Sequence, residues 1–288
     1  MRSGRLALRV QSAAAAVLAT IVVTACSSHA GSRGAGRAAT VAGETASGHA
    51  AASGHAAASA DPRTVATVGA LFPASVGSAH TCTAGVIDSP LGNVVVTAAH
   101  CVVGSGAGMV FVPGYDDGGA PYGSWTVTKA YAAAGWITGQ DPKMDYVFLV
   151  VSPVSTNATS APLQSVTGGN VLGIAPGPGQ RVTVAGYEVG RDDQPVICAP
   201  LVYLTGGYPS FDCAGYVAGT SGAPWIAGYE SSTGSGAITG VIGGLNQGGC
   251  SSDTSYSAPF TAATRQLWAR AVTGGPADVL PVPRPATC

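Results

Sequence analysis

Charge is what this sequence has least of. Only 9% of its residues are Asp, Glu, Lys or Arg, and the formal net charge is −1. That balance, with no basic stripe, removes the electrostatic case for a nucleic-acid partner. There is no Cys-x-x-Cys and no paired-histidine motif, so no zinc site, no other metal and no cofactor is expected. A convincing membrane span is also missing: the stretch from Val10 to Ala25 is too short and is interrupted by Gln11 and Ser12. Helical patterns do not alternate with strands, which argues against a parallel α/β sheet.

Glycine and proline are abundant instead, 42 and 19 in 288 residues. Turn signals recur throughout, as in an all-β chain whose surface is Ser, Thr and Gly. The length allows one large or two small domains. Arg2, Arg5 and Arg9 precede the apolar stretch, which makes residues 1–25 an export signal. Two readings fit Val23-Thr24-Ala25-Cys26: a bacterial-type lipoprotein box with lipid on Cys26, or ordinary cleavage after Ala25. Residues 26–63 are Ala, Gly, Ser and Thr, with a near-repeat at Ala46–Ala52 and Ser53–Ala58. They lack regularly spaced large apolar side chains and read as a flexible tether. His29, His49 and His55 within it read as solvated, and no metal role is expected of them.

Strand patterns begin near Val65 and recur at 81–87, 93–98, 109–112, 125–131, 146–151, 181–186, 196–205, 223–228 and 240–244. One helix is expected over 259–272, with Ala263, Leu267 and Ala271 on its buried face. The Ser/Thr/Asn/Pro-rich segment 152–169 reads as a connection between two halves.

Two short motifs carry chemistry. Thr97-Ala98-Ala99-His100-Cys101 puts a histidine at the end of an apolar strand, and Gly219-Thr220-Ser221-Gly222-Ala223-Pro224 puts a serine in a glycine-flanked turn. An acid that orients the histidine completes such a constellation, and Asp145 opens the apolar run Tyr146–Val151. Asp141 is a nearby competitor. The order His100, Asp145, Ser221 and these motifs resemble the trypsin/chymotrypsin-like serine protease superfamily, in its compact bacterial secreted branch. The resemblance spans about residues 65–272. It implies two antiparallel β-barrels of the six-stranded type, at about 64–155 and 165–258, followed by the C-terminal helix at 259–272. The cleft between them would be catalytic, and an extended tail would follow over 274–288.

In that resemblance Ser221 is the nucleophile, His100 the general base and Asp145 its orienting acid, while the N–H groups of Gly219 and Ser221 form the oxyanion hole. Gly215, Tyr216, Gly243 and Gly244 would line the substrate pocket. No buried carboxylate is evident there to attract Lys or Arg, so a small or apolar residue is preferred. Animal members carry Asp before the serine and a free Ile-Val-Gly-Gly start. Here Thr220 stands in the first position and no such start is present, which argues against activation by a salt bridge. Ala223 replaces the usual second glycine. His80 reads as a surface residue.

Seven cysteines are present, and setting Cys26 aside leaves six, suited to three disulfides in an oxidising compartment. The resemblance implies Cys82–Cys101. The remainder stays open between Cys198–Cys213 with Cys250–Cys288, and a Cys213–Cys250 bridge across the pocket. The expectation is a monomeric serine endopeptidase acting on proteins or peptides, extracellular, either secreted or held by lipid at the outer face of a bacterial membrane. A protease-like binding lipoprotein and an esterase with the same triad are the alternatives.

Overall fold

The computed structural model describes residues 66–155, 160–189 and 194–288, together with the short strand β1 (Ala57–Ala58). The expected signal peptide, Cys26 and the rest of the tether lie outside the described residues. Strand β1 pairs antiparallel with Val196 and Ile197.

Six strands close a barrel: β2 (Val68–Phe72), β3 (Cys82–Ile87), β4 (Val94–Thr97), β5 (Val110–Pro113), β6 (Trp125–Ala132) and β7 (Val147–Pro153), in the order β2-β3-β4-β7-β6-β5. Most of these strands are apolar on both faces, because both faces are covered; in β6, Thr128 is exposed and Lys129 half-buried. Alternate side chains of a strand point to opposite sides. Leu71, Val86, Val95, Phe111 and Leu149 fill the barrel, while Ala70, Val96, Val112 and Phe148 point outward into a second cluster with Tyr187, Ile226 and Val241. In β6 the pairing slips between Val127 and Lys129. That bulge inserts one residue, so Trp125 and Val127 face the barrel interior and the phase resumes three positions later at Ala130.

The second half contains β8 (Val171–Leu172), β9 (Val182–Tyr187), β10 (Pro195–Cys198), β11 (Tyr203–Thr205), β12 (Tyr208–Asp212), β13 (Pro224–Glu230), β14 (Ser235–Val241) and β15 (Thr254–Tyr256). Its ladders form a six-stranded sheet, β1-β10-β9-β13-β14-β8, and a three-stranded sheet, β11-β12-β15. Isolated bridges Arg181–Leu201 and Ile242–Ser257 link segments flanking these sheets. Val184, Val196, Phe211, Tyr216, Trp225 and Ile242 pack together as its core. Among the described residues the strand ladders are antiparallel except β8 with β14, and the isolated Ile87–Asn170 bridge is also parallel.

The strand expected over 196–205 is two strands. Pro200, which has no N–H to give a ladder, falls at the break, and its carbonyl accepts from Val182 N–H at 3.1 Å. Helix α1 (Ala134–Gly139) and helix α2 (Leu163–Thr167) occupy stretches that carry no helical signature in the sequence. Helix α3 (Ala262–Thr273) begins where Thr261 and Thr264 form a reciprocal capping box, and it ends at Gly274. Leu267 and Ala271 are buried as expected, but Ala263 is exposed and Thr264 takes the buried place. The tail after α3 is extended, and Leu280 bridges Gly104 and enters the first barrel's core.

Three disulfides form: Cys82–Cys101, Cys198–Cys213 and Cys250–Cys288. His80 is a correction to the sequence reading. It is 3% exposed and packs edge-on against Phe72, Tyr115 and Tyr187, whose rings come from separate parts of the chain. No helix among the described residues is long and apolar enough to cross a membrane.

Candidate active site

His100 sits in a 3-10 turn, Ala99–Cys101, directly after β4, and Cys101 ties this turn to β3 through Cys82. Asp145 follows a second 3-10 turn, Pro142–Met144. Asp141 caps that turn by accepting from Lys143 N–H at 2.9 Å, which accounts for the competing acid. Asp145 is fully buried, a placement that a carboxylate tolerates only with donors around it. It has three. His100 Nδ1 lies 2.8 Å from Oδ2, the His100 backbone N–H reaches Oδ1 at 2.9 Å, and Gly244 N–H reaches Oδ2 at 2.8 Å. A carboxylate on Nδ1 holds the ring proton there and leaves Nε2 as the acceptor.

Ser221 is on a turn from the second half that docks against the strands leading to His100. Its carbonyl accepts from Thr83 N–H at 2.8 Å. The next residue, Gly222, lies so close to Thr97 and Ala98 that a Cβ there would fall 3.0 Å from the Ala98 nitrogen. The Ser221 turn is therefore packed against the residues that lead from β4 to His100. Cys82 and Cys101 also lie beside the His100 ring, but their sulfurs are joined to each other and do not form a ligand set.

Thr83 is a residue that the sequence reading did not single out. Its buried hydroxyl donates to Gly219 O at 3.0 Å and accepts from Tyr187 N–H at 2.9 Å, and its carbonyl accepts from Thr97 Oγ1 at 2.7 Å. It thus fastens β3, β4, β9 and the Ser221 turn at one point. Gly219 has φ +99°, and a Cβ there would come within 2.5 Å of the Val189 nitrogen, so only glycine fits. Among the described residues, neither Gly219 N–H nor Ser221 N–H donates to a backbone carbonyl. Thr220 is buried and satisfied within its own turn, with Oγ1 donating to Val217 O at 2.8 Å.

A cavity of about 390 Å³ opens beside Ser221. Its walls are Tyr216–Ala218, Thr220, Ile242, Asn246–Ser252 and Ser255, completed by Ala286 and Cys288 from the tail. No charged side chain lines it among the described residues. Tyr216 reaches it from the expected set, but its ring is turned into the core against Phe211, and its hydroxyl donates to Val184 O at 2.8 Å. Burial pushes that phenol's pKa far up, so it stays protonated. Gly215 precedes Tyr216 with φ +95° and is not on the wall. Gly243 and Gly244 lie beneath Asp145 instead: a Cβ on Gly243 would sit 3.0 Å from the Asp145 carbonyl oxygen.

No sequence-family model and no curated protein sequence matches the chain. Solved structures do. The protease Anisep from Arthrobacter nicotinovorans is 24% identical over 73% of this chain and 97% of its own, with a TM-score of 0.61. The thermostable serine protease AL20 from an extremophilic microorganism is 21% identical over 74% and 100%, with a TM-score of 0.62. Human heparin binding protein is 18% identical over 80% and 99%, with a TM-score of 0.55. The chain thus has the two-barrel fold of trypsin-like serine proteases, a fold shared by proteins named for proteolysis and by one named for binding.

Proposed function

We propose that this protein is an exported serine endopeptidase. The observation that carries the reading is the fully buried Asp145 holding His100 by both its ring Nδ1 and its backbone N–H, next to the Ser221 turn. In this mechanism Ser221 Oγ attacks the carbonyl of the scissile peptide while His100 Nε2 takes its proton. His100 then gives that proton to the leaving amine, and water resolves the acyl-enzyme by the same steps. Asp145 keeps the imidazole in the productive tautomer and stabilises its charged form. The N–H groups of Gly219 and Ser221 receive the developing oxyanion, where one donor is worth about 3–4 kcal/mol of barrier.

A cavity lined by no charged side chain among the described residues suits an uncharged residue before the cleaved bond. Its polar wall of Asn246, Gln247, Ser251 and Ser252 offers hydrogen bonds rather than a counter-charge. Three disulfides fit an oxidising, extracellular compartment. In this reading residues 1–25 direct export, and Cys26, where lipidated, holds the domain outside the membrane through the segment between it and β1.

The test is labelling of the disulfide-intact protein by a fluorophosphonate, which requires an activated serine. An adduct mapped to Ser221 and lost in Ser221→Ala is expected. A folded protein that takes no label would overturn the enzyme reading and leave a binding protein on a protease fold, as the likeness to heparin binding protein would then suggest.

A further inference from the structure

The segment 281–288 runs across the candidate cleft, and its fastenings are specific. Upstream, the tail is anchored to the first barrel. Asp278 pairs with Arg270 and accepts from Ala132 N–H at 2.8 Å, while Leu280 exchanges both backbone hydrogen bonds with Gly104. Past this anchor, Gln140 takes hold of it: Nε2 donates to Val282 O at 2.9 Å, and Oε1 accepts from Arg284 N–H at 2.7 Å. Arg284 Nη1 donates to Gly139 O at 3.1 Å. From the other half, Gln247 Nε2 donates to Arg284 O at 2.5 Å, and Thr287 Oγ1 meets Asn246 Oδ1 at 3.0 Å. The Cys250–Cys288 disulfide closes the clasp.

Three residues of this clasp are in an unusual state. Gln140, Asn246 and Gln247 have φ of 51°, 50° and 55°, and they make up three of the four non-glycine residues with left-handed backbone among the described residues. Gln140 owes its conformation to its place as the left-handed cap of helix α1; at Asn246 and Gln247 such backbone costs energy and persists where the surroundings impose it. Here all three aim a side-chain amide at the strap.

The strap also borders the cavity that holds Ser221. Ala286 and Cys288 form part of the wall of the cavity beside Ser221. Arg284–Thr287, facing Gly139–Pro142 and Gly244–Gln247, line a second cavity of about 360 Å³. The two cavities share Asn246, Gln247 and Ala286. In the peptidase reading, a peptide with its carbonyl at Ser221 and one side chain in the first cavity borders this shared rim of Asn246, Gln247 and Ala286. The strap already holds two side-chain groups of that rim, Asn246 Oδ1 and Gln247 Nε2.

We propose that Arg284–Cys288 is a specificity element of the site, a strap that restricts how many residues can precede the scissile bond. The inference rests on the peptidase reading above. It assigns the Cys250–Cys288 disulfide a role in substrate selection, since the bond keeps the strap on the rim.

Two variants release the strap without touching the candidate triad: Cys250→Ser/Cys288→Ser, and Cys250→Ser with the chain ended after Pro283. Both keep Leu280 and Asp278 and their anchoring contacts. Circular dichroism checks the fold, and a fluorophosphonate small enough to ignore the strap reports the nucleophile. The decisive quantity is the ratio of inactivation rates by acetyl-tetra-alanyl and acetyl-alanyl diphenyl phosphonates. Releasing the strap should raise that ratio by about tenfold, the scale of one recovered subsite contact. A rise below about threefold, or a fall, with fluorophosphonate labelling intact, overturns the strap inference alone. No fluorophosphonate labelling in any form overturns the peptidase reading, and this inference with it.

Discussion

Replacing Thr83 by valine removes one hydroxyl and almost nothing else, because the two side chains have the same shape. The position is fully buried, so no water can take the hydroxyl's place. The change strips the Tyr187 N–H of its acceptor at 2.9 Å and the Gly219 carbonyl of its donor at 3.0 Å. A buried polar group left unpaired costs about 1–3 kcal/mol. Two such groups give about 2–6 kcal/mol, and the added buried methyl returns about 1 kcal/mol. Thr83→Val should therefore lose about 1–5 kcal/mol in denaturant unfolding with disulfides intact, at unchanged m-value. The damage is also directional. Gly219 loses the bond that sets its orientation, so fluorophosphonate labelling of Ser221 should slow by about tenfold to a hundredfold, approaching the loss of an oxyanion donor. Thr83→Ser keeps both hydrogen bonds and should restore the labelling rate. A Thr83→Val protein with wild-type stability and wild-type labelling would refute the reasoning, because the hydroxyl would then not be what holds the turn.

Two further substitutions probe the same machinery. Asp145→Asn keeps the volume but replaces an acceptor of three N–H groups with an amide that must present donors to some of them, so His100 loses the tautomer with Nε2 free. Labelling and peptide hydrolysis should fall by about 10⁴-fold in a protein whose circular dichroism is unchanged; a fall of less than tenfold would remove Asp145 from the mechanism. Gly219→Ala forces a Cβ to within 2.5 Å of the Val189 nitrogen at φ +99°, so the turn must shift. The expected result is a folded protein that labels at least a hundredfold more slowly, and near-normal labelling would place the oxyanion donors elsewhere.

Much of the fold was legible because its signals are local. Tyr146–Val151 and Val94–Val96 are apolar without interruption, and they proved to be barrel strands covered on both faces. The helix after Pro259 was readable from its period, although its start depends on the Thr261–Thr264 capping box rather than on the apolar pattern. Strand β12 was missed because Pro209 lies within it, a residue that normally argues against a strand. The structure accommodates it because the pairing of β12 with β15 begins only at Ser210. The break at Pro200 had its signal in plain view. His80 did not: nothing adjacent to it predicts a pocket made by Phe72, Tyr115 and Tyr187.

The site divides in the same way. The motifs around His100, Asp145 and Ser221 are short, and each constrains its own turn, so the sequence alone was enough to nominate them as one constellation and to order them. Pocket walls and supports depend on partners far along the chain. Thr83 acts on residues 104 and 136 positions away, and Gly244 reaches Asp145 across 99. Gln140 meets Arg284 across 144. Local preference and hydrophobic period carry no information about such pairs, because they are created only when two barrels and a tail pack together. The sequence by itself determined the strands of the first barrel, the turns that carry the motifs and the reactive residue types. Tertiary packing alone decided which threonine fastens the serine turn, which glycines lie under the acid and which segment lies across the cleft.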